Sequence, residues 1–189
     1  GQETSSRNSE VIHSGIYYPT NSLKAKLCVP SNNNLYSYCE QNNVWFNRCG
    51  KLIVAVTKDE EPELEKLMQQ GEANGVPDIQ MLSSEQVRKL EPHIECVAAL
   101  LIPSTGIVDS HELMRAYMHE AKSNGAEIIF GVEFVSLMDK NDGYKLCFKE
   151  RSGEQIELTA RYVINSAGIS ADKVAESFGI NIDDAGYRL

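Results

Sequence analysis

A capped amphipathic helix that leads directly into a series of turn-punctuated strands constrains this chain more than any other feature of its sequence. Asp109 followed three residues later by Glu112 has the form of a capping box. Leu113, Met114, Tyr117 and Met118 then build an apolar stripe at helical spacing, and Asn124-Gly125 supplies the stop. Residues 127–130, 133–138, 144–149 and 155–165 read as four strands, with turns at Asn141-Asp142-Gly143 and Arg151-Ser152-Gly153. The last strand runs into Ala167-Gly168 and a helix over residues 170–178, closed by Gly179. A helix, a β-meander and a strand-to-helix turn on small residues together indicate an α/β protein.

Upstream, residues 1–21 read as a loop, a short helical turn near residues 9–13 and an extended stretch ending at Pro19. Ser22 is placed to cap a helix with Leu23 and Leu27 as apolar positions, resuming after Pro30 with Leu35, Tyr38 and Cys39. Pro30 is predicted to kink or split it, because proline lacks the N–H and crowds the preceding turn. Residues 44–47 and 51–57 read as two strands joined around Gly50, and residues 60–74 as a polar helix closed by Gly75. A shorter helix over residues 83–90 stops before Pro92, and Val97 through Pro103 is strand-like.

Composition narrows the function classes. The 189 residues carry 18 Lys and Arg against 27 Asp and Glu, a formal charge of −9, which is the wrong sign for binding nucleic-acid phosphates or anionic lipid. The longest apolar runs, residues 97–103 and 51–56, fall far short of the ~20 residues of a membrane helix. Five cysteines without a C-x-x-C spacing argue for reduced thiols in a cytosol-like compartment, not for a disulfide framework. The four histidines show no metal-ligand spacing, and the chain has no G-x-G-x-x-G, P-loop, H-E-x-x-H or G-x-S-x-G motif. No metal site is expected.

Two phrases remain. Thr4-Ser5-Ser6-Arg7-Asn8-Ser9-Glu10-Val11-Ile12-His13-Ser14-Gly15 concentrates hydroxyls, an amide, a guanidinium and an imidazole. It suits either an anion, met by hydroxyls and N–H groups with Arg7 as counter-charge, or a capped surface turn. Tyr162-Val163-Ile164-Asn165-Ser166-Ala167-Gly168-Ile169-Ser170-Ala171-Asp172 brings small residues to a strand end, where either a ligand approaches the backbone or a helix packs tightly.

With these phrases in view, the chain resembles the flavoprotein family typified by D-amino-acid oxidase and glycine oxidase, and within it the members that act on a 2-hydroxy acid. Residues 3–19 with Ser22-Leu23-Lys24-Ala25 carry the resemblance. So do Cys49-Gly50-Lys51-Leu52-Ile53-Val54-Ala55, Pro103-Ser104-Thr105-Gly106-Ile107-Val108-Asp109 and the Asn165-Ser166-Ala167-Gly168 turn. The resemblance implies a Rossmann-like FAD-binding fold interrupted by a substrate-domain sheet. Residues 1–43 and 108–189 then belong to the FAD part and 44–107 to the substrate part. It implies FAD as cofactor, with Thr4, Ser5, Ser6, Arg7, Asn8 and Ser9 along the pyrophosphate and ribityl chain, Phe134 meeting the adenine through its backbone, and Ala167 and Gly168 approaching from the other side. It also implies a small 2-hydroxy dicarboxylate substrate, L-2-hydroxyglutarate, going to 2-oxoglutarate. His13 is the candidate base, Arg7, Tyr17 and Tyr18 are candidate substrate ligands, and a structural role for His13 stays open. An amine or amino-acid oxidase of the same fold, and a non-catalytic scaffold domain, are the alternatives.

In this family a first strand, a Gly-rich turn and an acidic residue would precede Gly1, and a strand-rich segment would follow Leu189, so the sequence reads as an internal segment. On that reading the 189 residues alone are expected to bind FAD weakly or not at all, and to self-associate through an open sheet edge and apolar surface bared around Val11, Ile12, Ile16 and Tyr17. Membrane association of the whole protein stays open.

Overall fold

Ser22 opens the first long helix by accepting a hydrogen bond from the Ala25 N–H at 3.2 Å, and α1 (Leu23–Gln41) then runs unbroken through Pro30. Pro30 therefore neither splits nor ends the helix. Val29 packs into the core on one side of it and Asn32, Tyr36 and Cys39 are buried beyond it, so tertiary contacts offset the lost N–H. The expected apolar pair is also displaced: Leu23 and Leu27 are 71% and 57% exposed, and the inner face is Ala25, Asn32, Tyr36 and Cys39.

The computed structural model describes residues 1, 3–140 and 142–184. The chain divides into two compact units, Gly1–Glu120 and Ala121–Leu189. The first opens with a single 3-10 turn at Thr4–Ser6 and the short strand β1 (Val11–Ile12). Residues 9–13 are thus not a helical turn. Val11 and Ile12 pair instead with Ile107 and Gly106, and Ile12 is buried against Tyr36 and Val108.

After α1 come β2 (Phe46–Asn47), β3 (Leu52–Ala55), α2 (Glu61–Ala73), β4 (Gln80–Ser83), α3 (Ser84–Leu90), β5 (Ala98–Leu101) and β6 (Gly106–Val108). Two three-stranded antiparallel sheets result, in the orders β1-β6-β2 and β3-β5-β4. The strands flanking Gly50 therefore do not pair with each other, since β2 joins β6 and β3 joins β5. Strands β4 and β6 had no clear alternation in the sequence. Ile16, Ala55, Leu64, Val76, Leu100 and Ile102 form the largest buried cluster.

The helices α2 and α3 follow expectation. Gly75 adopts φ +83° after α2, and Ser83 and Gln86 form a reciprocal capping box at α3. At α4 (Ser110–Ser123) the expected box is only half made. The Asp109 carboxylate accepts from the Glu112 N–H at 2.8 Å, but the Glu112 carboxylate accepts from the Trp45 N–H at 2.7 Å, tying the helix to the chain just before β2.

The second unit is an antiparallel meander of β7 (Val132–Lys140), β8 (Gly143–Glu150) and β9 (Gln155–Ala160) in that order. Residues 127–130 are not a strand, and β9 stops at Ala160, leaving Tyr162 and Ile164 each 87% exposed instead of in a sheet. Asn141 of the expected first turn lies outside the described residues. A 3-10 turn (Gly168–Ser170) leads into α5 (Ala171–Glu176), with Gly179 at φ +77° beyond it. Helices and sheets alternate as an α/β chain requires, and every strand pair among the described residues is antiparallel.

Gly106 shows how closely the first sheet is built. A Cβ there would meet the Tyr36 hydroxyl and come within 2.5 Å of the Asn47 carbonyl oxygen and 3.1 Å of the Arg48 Cα. Gly106→Ala is expected to cost about 1–3 kcal/mol by overpacking. Urea unfolding of the whole protein against wild type measures this, and an unchanged midpoint would mean that β2 and β6 separate freely.

Candidate functional site

Between β1 and α1 the chain must turn sharply, and Gly15 makes the turn at φ +96°, where the Tyr18 N–H donates to the Gly15 carbonyl at 3.4 Å. The carbonyls of this turn lie outside any ladder, and side-chain donors capture them instead. Asn32 on α1 donates its amide to the carbonyls of His13 at 3.0 Å and Ser104 at 2.9 Å. Gln70 on α2 donates to Ile16 at 2.9 Å, and Asn74 just after α2 donates to Gly15 at 3.1 Å and Tyr18 at 2.8 Å. Ile16 itself is inserted into the largest core cluster. Two helices thereby fix residues 13–18 from one side.

On that turn a small cleft opens, lined by residues 13–18 together with Lys51 and Thr105. Backbone bonds between Lys51 and Ile102 in both directions, at 2.9 and 3.1 Å, and from the Gly50 N–H to the Thr105 carbonyl at 2.9 Å, hold the start of β3 against the turn before β6. The Lys51 ammonium stands 4.8 Å from the centre of the Tyr17 ring, and that of Lys24 stands 5.9 Å from the Tyr18 ring. His13 is exposed at its rim, yet the protein packed around it, and secondarily the Lys51 charge, hold its pKa below the ordinary imidazole value. An imidazole so placed is unprotonated near neutral pH and able to accept a proton. The hydroxyl of Thr105 is buried without a hydrogen-bond partner, as is that of Ser104.

The structure thus brings His13, Tyr17 and Tyr18 together, and Arg7 is not among the residues lining that cleft. Within the upstream turn Asn8 donates to the Thr4 and Ser5 carbonyls and accepts from the Glu10 N–H, while the Ser6 hydroxyl donates to the Glu3 carbonyl. The side chains of Thr4, Ser5, Arg7 and Ser9 enter no hydrogen bond or ion pair among the described residues and are exposed.

The remaining candidates lie in the second unit. Phe134 is on β7, an edge strand, paired with Phe148 and in edge-on ring contact with Phe148 and Phe178. The Asn165 side chain closes the turn at Ala167 by accepting from the Ala167 N–H at 3.1 Å and donating to the Ala171 carbonyl at 2.8 Å. Gly168 has φ +58°, and a Cβ there would meet nothing within 4 Å, so tight helix packing is not the reason for the small residues. Lys51 and Thr105 were not singled out by sequence reasoning. Their only signal was their place in the phrases Cys49-Gly50-Lys51 and Ser104-Thr105-Gly106.

Asn32→Ala removes one donor shared by two buried carbonyls. It should cost about 1–3 kcal/mol, read from the unfolding midpoint of the whole protein. A wild-type midpoint would show that the Cys28 and Tyr36 donors to the same carbonyls suffice.

Comparison with known proteins adds to this geometry. Residues 1–186 match the family described as "FAD dependent oxidoreductase". The chain is 38% identical over 186 residues to the mitochondrial L-2-hydroxyglutarate dehydrogenase of Nematostella vectensis, covering 94% of the chain and 41% of that protein. The human mitochondrial protein of the same name is 37% identical, with 93% and 40% covered, and an Escherichia coli one is 32% identical, with 92% and 40% covered. The chain thus spans about two fifths of the length of these curated relatives. Among solved structures, an FAD-bound L-α-glycerophosphate oxidase of Mycoplasma pneumoniae superposes with TM-score 0.84 at 30% identity, over 93% of this chain and 47% of that one. Glycine oxidase of Geobacillus kaustophilus superposes with TM-score 0.81 at 20% identity, over 94% and 48%, a likeness of fold.

Proposed function

Since the chain belongs to the DAO family of FAD-dependent oxidoreductases, we propose that the whole protein oxidises L-2-hydroxyglutarate to 2-oxoglutarate. The observation that carries this reading is the single cleft in which an imidazole of lowered pKa, two tyrosines and an ammonium converge. The identity to L-2-hydroxyglutarate dehydrogenases over almost the whole chain supports it.

The donor set fits FAD. The free Thr4, Ser5 and Ser9 hydroxyls and the Arg7 guanidinium are the groups that pyrophosphate and ribityl oxygens require, with Ser6 and Asn8 shaping their turn. The outer edge of β7 at Phe134 leaves backbone groups for an adenine, and the open space at Gly168 admits a ligand beside Ala167. When bound, the flavin supplies the acceptor for the hydride that leaves C2 of the substrate. His13 takes the proton of the C2 hydroxyl on its unprotonated ring nitrogen, so that the carbonyl forms as the C–H bond breaks. The Tyr17 and Tyr18 hydroxyls are assigned to the carboxylates, whereas Arg7, which the sequence also offered for them, lies outside that cleft and is left to the pyrophosphate.

Residues 1–43 and 108–189 are read as the FAD-binding part and 44–107 as the substrate wall, a division supported by the sheet β3-β5-β4 falling wholly within the latter. No helix among the described residues is long and apolar enough to cross a membrane. A reducing compartment is supported by the five free thiols, and a mitochondrial one by the names of the Nematostella and human relatives. Self-association of the 189 residues alone was expected around Val11, Ile12, Ile16 and Tyr17, but Ile12 and Ile16 are buried in the core, and what supports it is the outward Tyr17, Tyr162 and Ile164 side chains.

The pH dependence tests the base. Because burial and Lys51 hold the His13 pKa below its ordinary 6.5, His13 is unprotonated at neutral pH and becomes charged only in more acid solution. Flavin bleaching of the whole protein by L-2-hydroxyglutarate should therefore be level near neutrality and fall below about pH 6.5. His13→Gln should slow it by about 10²–10⁴ and remove that acid limb. An acid limb retained in the variant assigns the base elsewhere, and bleaching by amino acids alone would replace the reading with an amine oxidase.

A further inference from the structure

We propose that Lys51 and Thr105 form the anion subsite that receives a carboxylate of the substrate, an inference that rests on the hydroxy-dicarboxylate reading above. Both residues line the cleft of His13, Tyr17 and Tyr18. The ion pairs among the described residues join Lys66 to Glu63, Lys89 to Glu85 and Lys145 to Glu157, so Lys51 carries its charge into the cleft with no carboxylate beside it. Its ammonium is steadied on the Tyr17 ring face at 4.8 Å, a contact that leaves its N–H donors free to bind an anion.

Thr105 supplies the second, independent observation. It is 4% exposed, and its Oγ1 is buried without a donor or acceptor. A buried hydroxyl left unpaired is costly, and such groups in native proteins mark a missing partner. A carboxylate in the cleft supplies it, accepting one hydrogen bond from the Thr105 Oγ1–H and another from the Lys51 ammonium. The backbone bonds that lock Lys51 to Ile102 and Gly50 to Thr105 fix the two groups in register before any ligand arrives. The same ammonium lies close enough to bias His13 toward its neutral form, so one cation both binds the substrate's charge and keeps the base ready.

Glutarate tests the subsite apart from the chemistry, because it has both carboxylates and no oxidisable hydroxyl. Calorimetric titration of the full-length flavin-loaded protein should show Lys51→Met weakening glutarate binding about tenfold or more. Lys51→Arg, which keeps the charge, should stay within about threefold, and Thr105→Val should lose about three- to tenfold. In the pH profile of flavin bleaching, Lys51→Met should move the acid limb to higher pH, since the imidazolium no longer faces a cation, a change that a purely structural lysine would not produce. Equal glutarate affinity in wild type and Lys51→Met, with L-2-hydroxyglutarate still bleaching the wild type, overturns the subsite and leaves the functional reading intact. A wild type bleached by amino acids and by no 2-hydroxy acid overturns both. Should Lys51→Met fail to fold, Thr105→Val decides, and a wild-type glutarate affinity there overturns the proposal.

Discussion

The side-chain amide of Asn32 is the interaction on which the first unit depends. It joins the carbonyl of His13, just after β1, to that of Ser104, between β5 and β6, and it does so from the buried face of α1. A polar group placed there is tolerable only when satisfied, because an unpaired amide in a low-dielectric interior costs more than the hydrogen bond returns. Both its N–H donors are used, and the Ser104 carbonyl also accepts from the Tyr36 hydroxyl at 3.1 Å. This explains why the helix buries Asn32 and leaves Leu23 and Leu27 in solvent. The fold needs a bridge at that depth more than it needs two more leucines in the core.

From this bridge the electrostatics of the cleft follow. The chain carries a formal charge of −9, a field that disfavours a dicarboxylate over much of the surface. Binding the proposed dicarboxylate requires a local reversal of sign, for which Lys51 stands in the cleft on the Tyr17 ring and Lys24 on the Tyr18 ring of the same turn. A lysine held on an aromatic face keeps its charge in place without a carboxylate partner that would neutralise it. Nearby, Arg48 lies over the Tyr36 ring at 3.9 Å, so the same device recurs where α1 faces the end of β2.

Features whose cause lies within three or four residues were legible in the sequence. The Ser22 cap and the glycine stop after α2 need only a side chain and its own backbone neighbours. The Asp109 cap held for the same reason, whereas the Glu112 half of its box was lost to Trp45, a competitor distant in sequence. Strand β1, of two residues, exists because β6 lies beside it, and no local alternation announces that; β2 was legible within residues 44–47, but its pairing with β6 was not. Of the candidate site, the turn with His13, Tyr17 and Tyr18 was legible as one phrase. Lys51 and Thr105 were not, because they converge only through the pairing between the start of β3 and the turn before β6.

Backbone strain shows how firmly that turn is set. Glu10, two residues before the buried Ile12, adopts φ +55°, a left-handed conformation unfavourable for a side chain with a Cβ. The conformation is held from three directions. The Glu10 N–H donates to the Asn8 side chain at 2.7 Å, its carbonyl accepts from the Val108 N–H at 3.0 Å, and its carboxylate accepts from the Ser110 hydroxyl at 2.6 Å and N–H at 3.1 Å. The Ser110 bonds, hydroxyl first, hold the Glu10 pKa below the ordinary carboxylate value, so the carboxylate is charged at neutral pH and sits at the N-terminal end of α4, where a helix favours negative charge. The segment from Asn8 to Tyr18 is therefore anchored at its start by α4 and β6 and at its end by α1 and α2. The base proposed at His13, carried on such a segment, is positioned before substrate arrives, so its ordering is met in folding and not in each turnover.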